Sequence, residues 1–257
     1  MSHKKSRKGR KVDRDVEDLE KSLNSKKWEY DFDVTNKYTF NENQNDFLSY
    51  LQDDKTHMAI VDGPAGTAKT YLAVLAALKL LAKRKLENII YIRSVVESAS
   101  KSIGYLPGEV DDKFAPWSVP LNDKLEELIS ADVIKNLVAS NAIKCIPVNF
   151  IRGLTFRNSF VIVDEAQNLT MSELVTIMTR FGHNSKYVIA GDSMQSDLGN
   201  VGGYGFKLDH AGGFNRIHSV FTGAECVERG IRTFKFGDDE IVRSEILRFI
   251  VARLKKG

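Results

Sequence analysis

Residues 57–82, HMAIVDGPAGTAKTYLAVLAALKLLA, join two apolar runs of different period through one glycine-containing turn. The first run, 57–62, is short and continuous, as a buried strand is. The second places Tyr71, Val74, Leu75, Leu78 and Ala82 on one face and predicts a helix over 69–84. Between them Gly63, Pro64, Ala65, Gly66, Thr67, Ala68, Lys69 and Thr70 follow the pattern G-x-x-x-x-G-K-[ST], with alanine in place of the second glycine. A strand that delivers the chain to a helix N-terminus in this way gathers backbone N–H groups around an anion, helped by the positive end of the helix. Lys69 has the reach for the β- and γ-phosphates of a nucleotide, and Thr70 has a hydroxyl for Mg²⁺. Ala68 fits well if the helix has already begun there, and is strained if that residue needs a positive φ.

The rest of the chain repeats the alternation. Strands are expected at 88–93, 143–148, 159–164 and 186–192, and helices at 121–138 and 171–182, the last closed by Gly182. Residues 94–120, with Gly104, Pro107, Gly108, Pro116 and Pro120, read as a long loop. A charged helix over 12–24, an irregular lead-in over 26–44, and a final amphipathic helix over 238–256 complete the outline. In that final helix Val242, Ile246, Phe249 and Ile250 are expected to face inward. Continuously apolar strands alternating with helices predict an α/β fold, a parallel sheet covered by helices on both faces.

Two further strand ends carry chemistry. SFVIVDEAQ, 159–167, ends a buried strand in Asp164 and Glu165. Asp164 is suited to hold Mg²⁺ and Glu165 to polarise a water for attack on a γ-phosphate. YVIAGDSMQSDL, 187–198, ends in Gly191-Asp192 and is followed by Gln195, an amide able to sense the γ-phosphate or the attacking water. Alone, each has a bland reading as a helix cap or a turn. Together they gather at one edge of a parallel sheet, where ligands of such folds bind. Their order, with a carboxylate beside the metal-binding aspartate, points to a RecA-like P-loop ATPase rather than a small kinase or a GTPase.

Composition narrows the rest. Of 257 residues 42% are hydrophobic and 28% charged, and the formal net charge is +3. Residues 1–12 hold six Lys/Arg and no acid, so the remainder is net acidic. Two readings of that arm stand, a handle for nucleic acid or a solvated terminus. A basic arm over 1–26 and a single domain over 27–257 are expected. Cys145 and Cys226 lie far apart, with no disulfide or zinc pattern. No apolar run is long enough for a membrane span, so no membrane and a cytoplasmic location are expected.

GPAGTAKT, SIGYLPGEVDDKFAPW, IRGLTFRNSFVIVDEAQN and MTRFGHNSKYVIAGDSMQSDL, in that order, resemble the PhoH family of ATPases over about residues 40–251. That family is similar to the first ATPase domain of superfamily-one helicases. The resemblance implies ATP and Mg²⁺ as cofactors, Gln44 as the adenine reader and Gly63 to Thr70 as the phosphate site. It implies Asp164 as the metal aspartate, Glu165 as the base and Gln195 as the γ-phosphate sensor. Arg93 and Arg152-Gly153 also match family positions. The chain departs from the pattern at Ala68, where the family has glycine.

Helicases of that kind close the ATP site with arginines from a second domain, for which no counterpart is expected in these 257 residues. A homo-oligomeric ring, hexameric by that analogy, would supply the arginine in trans, with Arg243 first among Arg180, Arg229, Arg232 and Arg243. RNA or single-stranded DNA is the expected partner, with Tyr105, Phe114 and Trp117 as residues able to stack on bases or to pack on the core. The short chain and basic arm suggest a bacteriophage version acting in the host cytoplasm. The competing readings are an ATP-dependent switch that recruits a protein partner with little turnover, and a small-molecule kinase, for which no acceptor signature is visible.

Overall fold

The computed structural model describes residues 31–93, 110–194, 213–242 and 244–254, with side chains from Ser118 onward in the helix that begins at Val110. In chain order the elements are α1 Glu42–Gln52, β1 Met58–Asp62, α2 Lys69–Ala82, β2 Asn88–Arg93, α3 Val110–Leu128, α4 Ala131–Ala139 and β3 Ile143–Cys145. They continue with β4 Ser159–Asp164, α5 Met171–Met178, β5 Lys186–Gly191, α6 Gly213–Val220, α7 Ala224–Glu228, β6 Ile231–Lys235 and α8 Glu245–Leu254. Short 3-10 turns occupy Val148–Phe150, Ala166–Asn168 and Asp238–Glu240.

All pairings in the sheet are parallel and the strand order is β3-β2-β4-β5-β1-β6. β5 therefore lies between the strand that feeds the glycine loop and the strand that ends in Asp164.

Period-two alternation divides each strand between two cores. Ala59, Val61, Tyr91, Ile162 and Val188 join α2 and Leu121, Leu125 and Leu128 of α3 in one cluster. Met58, Ile60, Ile92, Val163 and Ile189 join Leu174 and Ile177 of α5 and Phe214 and Ile217 of α6 in the other. α2 is buried on nearly every side from Tyr71 to Leu81, Lys79 excepted. Burying each of its leucines is worth about 1.5–3 kcal/mol over leaving it exposed. Among the described residues no helix is long and apolar enough to cross a membrane.

Several expectations need correction. The loop expected over 94–120 gives way to helix at Val110. Pro116 and Pro120 each delete one main-chain hydrogen bond, but their fixed φ is itself helical, and the leucine stripe of α3 anchors the segment. The single helix expected over 121–138 is two, because Ser130 adopts extended backbone (φ −71°, ψ 154°) and starts a new one. The strand expected over 143–148 ends at Cys145 and turns into the 3-10 segment, and α5 stops at Met178 instead of reaching Gly182.

α1 and β6 were not expected from the sequence. α1 is polar on average, and its signal is the capping box of Asn41 and Gln44 ahead of Phe47, Leu48 and Leu51. The last helix begins at Glu245, and its orientation is the reverse of the expected one. Ile246, Phe249 and Ile250 are 64%, 56% and 45% exposed, while Leu247 and Val251 are half-buried. Two apolar stripes fit this sequence, and the one bearing Leu247, which packs against Gly66, takes the core side. Val242 precedes the helix and is half-buried. The charged helix expected over 12–24, and Tyr105, lie outside the described residues, as do the side chains of Phe114 and Trp117.

Candidate functional site

β1 delivers the chain to Gly63, whose N–H donates to the Gly191 carbonyl of β5 at 3.2 Å. A side chain at Gly63 would meet Phe236 Cβ at 2.7 Å, so the position admits little beyond hydrogen. The loop then passes through Gly66 at φ +85° and Ala68 at φ 63°, ψ 18° before α2 begins at Lys69. Ala68 is thus a left-handed residue outside the helix, the strained alternative for a residue with a Cβ.

The loop is braced from behind. Gln44 of α1 is buried, and its Nε2 donates to the carbonyls of Thr67 at 3.2 Å and Glu240 at 2.9 Å. Its Oε1 accepts from Asn41 N–H at 3.1 Å. Gln44 is not among the residues that line the cleft described below. The Val242 N–H donates to the Gly66 carbonyl at 3.1 Å, and Thr67 Oγ1 donates to the Pro64 carbonyl at 2.8 Å. Glu240 is itself set by Asn41, which donates to its Oε1 at 2.7 Å, and by Gly237 N–H, which donates to its Oε2 at 2.6 Å. Burial opposes its charge, but these donors outweigh burial and hold its carboxyl below the usual range.

In front of the loop, Lys69 Nζ donates to the carbonyls of Gly63 at 2.5 Å and Pro64 at 3.0 Å. Burial pulls its pKa down, and Asp192, Asp164, Glu165 and Asp62 pull it back up. A half-buried ammonium so placed is matched to a strongly charged anion.

β4 brings Asp164 to the same place. Thr70 Oγ1 donates to Asp164 Oδ1 at 2.8 Å, across 94 residues of sequence. Asp164 Oδ2 accepts from the Tyr91 hydroxyl. The register that sets Tyr91 opposite Ile162 and Arg93 opposite Asp164 makes Tyr91 and Asp164 diagonal neighbours on one face. Burial, reinforced by the Asp164 charge, drives the Tyr91 phenol far above its ordinary pKa, so it remains a donor at any working pH. Sequence reasoning missed Tyr91, because a tyrosine in a buried strand reads as core.

Glu165 leaves the strand in the left-handed region, φ 53°. Its Oε2 accepts from Gln167 Nε2 at 2.7 Å and its Oε1 lies 3.9 Å from Arg93 Nη2. Gln167 Oε1 in turn accepts the Asp192 N–H at 3.0 Å, tying the ends of β4 and β5 together. Asp192 is buried. Its Oδ1 accepts from Met194 N–H at 3.0 Å, and its Oδ2 has no hydrogen-bond partner among the described residues. Burial raises its carboxyl above the ordinary value, against a downward pull from Lys69.

Ala65 to Thr70, Asp164, Glu165, Gln167 and Asp192 line one cleft of about 290 Å³, which runs on to Tyr38 and α3. Oxygen donors of this kind, one hydroxyl and one carboxylate, suit Mg²⁺, which is commonly held by few protein ligands together with phosphate oxygens and water. Among the described residues no group of three or more His, Cys, Asp or Glu could hold a metal by itself.

The structure therefore brings together Gly63 to Thr70, Asp164 and Glu165, and sets Gln44 behind the loop. Gln195 and Arg243 lie outside the described residues. Of the other arginines named from the sequence, Arg229 pairs with Glu225 at 3.4 Å and Arg232 grips Asp46 at 2.6 and 3.2 Å. Arg180 has a buried Nε without a hydrogen-bond partner among the described residues, and its carbonyl accepts from Phe156 N–H.

The family model for PhoH-like proteins matches residues 38–255. Among known proteins, the chain is 38% identical over 170 residues to the PhoH-like protein of Synechocystis sp. (strain ATCC 27184 / PCC 6803 / Kazusa), covering 66% of this chain and 50% of that protein. It is 42% identical over 136 residues to the PhoH-like protein of Bacillus subtilis (strain 168), covering 53% of this chain and 42% of that protein. It is 36% identical over 156 residues to Protein PhoH2 of Thermobispora bispora, covering 60% of this chain and 36% of that protein. The chain thus spans half or less of the length of these relatives. Because the family match runs through every element that builds the cleft, from Tyr38 to Val242, the chain belongs to the PhoH family.

Proposed function

We propose that the chain binds and hydrolyses ATP with Mg²⁺, as a homo-oligomeric ring coupled to RNA or single-stranded DNA. The observation that carries the reading is the 2.8 Å hydrogen bond from Thr70 to Asp164, which joins the glycine loop to the carboxylate strand at the cleft. Bound there, Mg²⁺ would neutralise charge on the transferred phosphoryl group. The protein's own groups supply the rest. Loop N–H groups and Lys69 hold phosphate oxygens, and Tyr91 and Thr70 fix Asp164. Glu165 takes the proton of an attacking water, steered by Gln167 and Arg93. An arginine from a neighbouring subunit would complete the charge stabilisation, with Arg243 as the first candidate. The basic N-terminal arm is the proposed contact for nucleic acid.

One observation favours the switch reading beside it. Both Glu165 oxygens already face partners, Gln167 and Arg93, so a water must share an oxygen with one of them to be activated.

The test is steady-state ATP hydrolysis with Mg²⁺, with and without single-stranded RNA and DNA, beside Glu165→Gln and with the oligomeric state read by light scattering. Turnover that rises with nucleic acid and falls at least 100-fold in the variant is the expected result. Tight ATP binding without turnover above the variant selects the switch. Failure to bind ATP at all refutes both.

A further inference from the structure

Four carboxylates act on Lys69, and Asp192 comes first among them, ahead of Asp164, Glu165 and Asp62. Three of the four have their oxygens engaged. Asp62 accepts from the Ser193 N–H and from the Ser193 hydroxyl, each at 2.9 Å. Asp164 accepts from Thr70 and Tyr91, and Glu165 faces Gln167 and Arg93. Asp192 differs. It is 6% exposed, its Oδ1 accepts from Met194 N–H, and its Oδ2 has no hydrogen-bond partner among the described residues. Leaving a buried carboxylate oxygen open is costly, and such an exception in a folded protein calls for a reason in the work of its site.

The topology shows where that carboxylate stands. β5 lies between β4 and β1, so its end falls between Glu165 and the glycine loop. On the β4 side, Gln167 joins Glu165 Oε2 at 2.7 Å to the Asp192 N–H at 3.0 Å. On the loop side, Lys69 and the Ala65 N–H favour the charge on Asp192, against burial and Asp62. Ala65, Lys69, Glu165, Gln167 and Asp192 all line the one cleft. With a nucleotide bound, Lys69 reaches the β- and γ-phosphates and Glu165 stands beside the attacking water. A group held between those two is next to the terminal phosphate. A carboxylate and a phosphate oxygen both only accept hydrogen bonds, so nothing joins them directly and their charges repel.

We propose that Asp192 is a specificity-determining residue that sets the balance between triphosphate and diphosphate, its open carboxylate oxygen opposing the γ-phosphate. The assignment rests on the nucleotide-binding reading above and deepens it. Lys69 attracts the β- and γ-phosphates alike, whereas Asp192 acts on the terminal one. What it opposes in the bound triphosphate it opposes again in free phosphate, so the same residue favours departure of that product and leaves the diphosphate behind.

The experiment measures by calorimetry how the intact chain binds two probes with saturating Mg²⁺, ADP and the non-hydrolysable β,γ-imido analogue of ATP. Asp192→Asn and Asp192→Ala both remove the charge, and only the first adds a donor. Both variants are expected to tighten the analogue relative to ADP about tenfold. A circular-dichroism melt checks that each variant is folded. If both variants weaken the analogue relative to ADP, Asp192 attracts the γ-phosphate through a cation or a proton, and the proposal is overturned. If the ratio of the two affinities stays at the wild-type value, or only Asp192→Asn raises it, the charge does not discriminate, and the proposal is overturned while the phosphate site stands. If wild type binds neither probe, the nucleotide reading fails and the proposal fails with it.

Discussion

Ala68 sits at φ 63°, ψ 18° with a Cβ, and this invites a direct perturbation. The left-handed conformation costs a residue with a Cβ about 1–2 kcal/mol relative to one without. Replacing alanine with glycine removes that cost but loosens the unfolded chain by about 0.4–1 kcal/mol. A small loss of packing against the α2 side of the core is also expected, because Ala68 is half-buried there. The balance favours Ala68→Gly by about 0.5 kcal/mol, which for a domain of this size raises Tm by about 1–2 °C. Ala68→Val goes the other way. A β-branched residue in this region is an outlier, and a further ~2 kcal/mol of strain lowers Tm by about 4–8 °C. The assay is thermal unfolding followed by circular dichroism without nucleotide. If both variants melt within 1 °C of the wild type, or if glycine is clearly the less stable, residue 68 is not strained and the argument falls.

Three other outcomes are expected. Tyr91→Phe keeps the ring but removes the donor to Asp164, a bond to a charged group worth about 2 kcal/mol. Its Tm should fall by about 4–8 °C, and the Mg²⁺ concentration needed for nucleotide binding should rise; no change in either would mean that the hydroxyl does not hold Asp164. Asp192→Asn should stabilise the protein at pH 7 by about 1 kcal/mol, because a buried carboxylate with an unpartnered oxygen is costly. The folded pKa of Asp192 is raised, so its penalty is full above that value and fades as pH falls through it toward the ordinary 3.8. A gain in Tm that is as large at pH 4 as at pH 7 would contradict this. Phe249→Ser, at an exposed site, should change monomer stability by no more than about 0.5 kcal/mol, whereas Leu247→Ala should cost about 2 kcal/mol. The reverse ranking in urea unfolding would mean that α8 docks by its other stripe.

Much of the site was legible because fully buried strands write themselves as unbroken apolar runs. The β2 and β4 boundaries, 88–93 and 159–164, could be read to the residue, and so could the polar residues at the end of β4. The missed features depend on pairing that sequence does not display. Tyr91 meets Asp164 because β2 and β4 lie side by side in one particular register. Gln44 braces the loop because Glu240, 196 residues later, arrives beside it. α8 was misoriented because its two stripes are similarly apolar, and only the closeness of Gly66 to Leu247 decides between them. α1 was missed because its helical signal is a cap rather than a hydrophobic period.

The brace behind the loop has a thermodynamic consequence. Asn41, Gln44, Thr67 and Glu240 form one hydrogen-bonded cluster drawn from both ends of the domain, and the Val242 N–H holds the neighbouring Gly66 carbonyl. The phosphate loop is braced while those ends are closed on each other, which couples binding competence to global folding. A ligand at 100 times its dissociation constant then adds about 2.7 kcal/mol to the stability of the whole domain. Conversely, loosening the chain at Glu240, far along the sequence from Lys69, weakens binding without removing any group that touches the ligand.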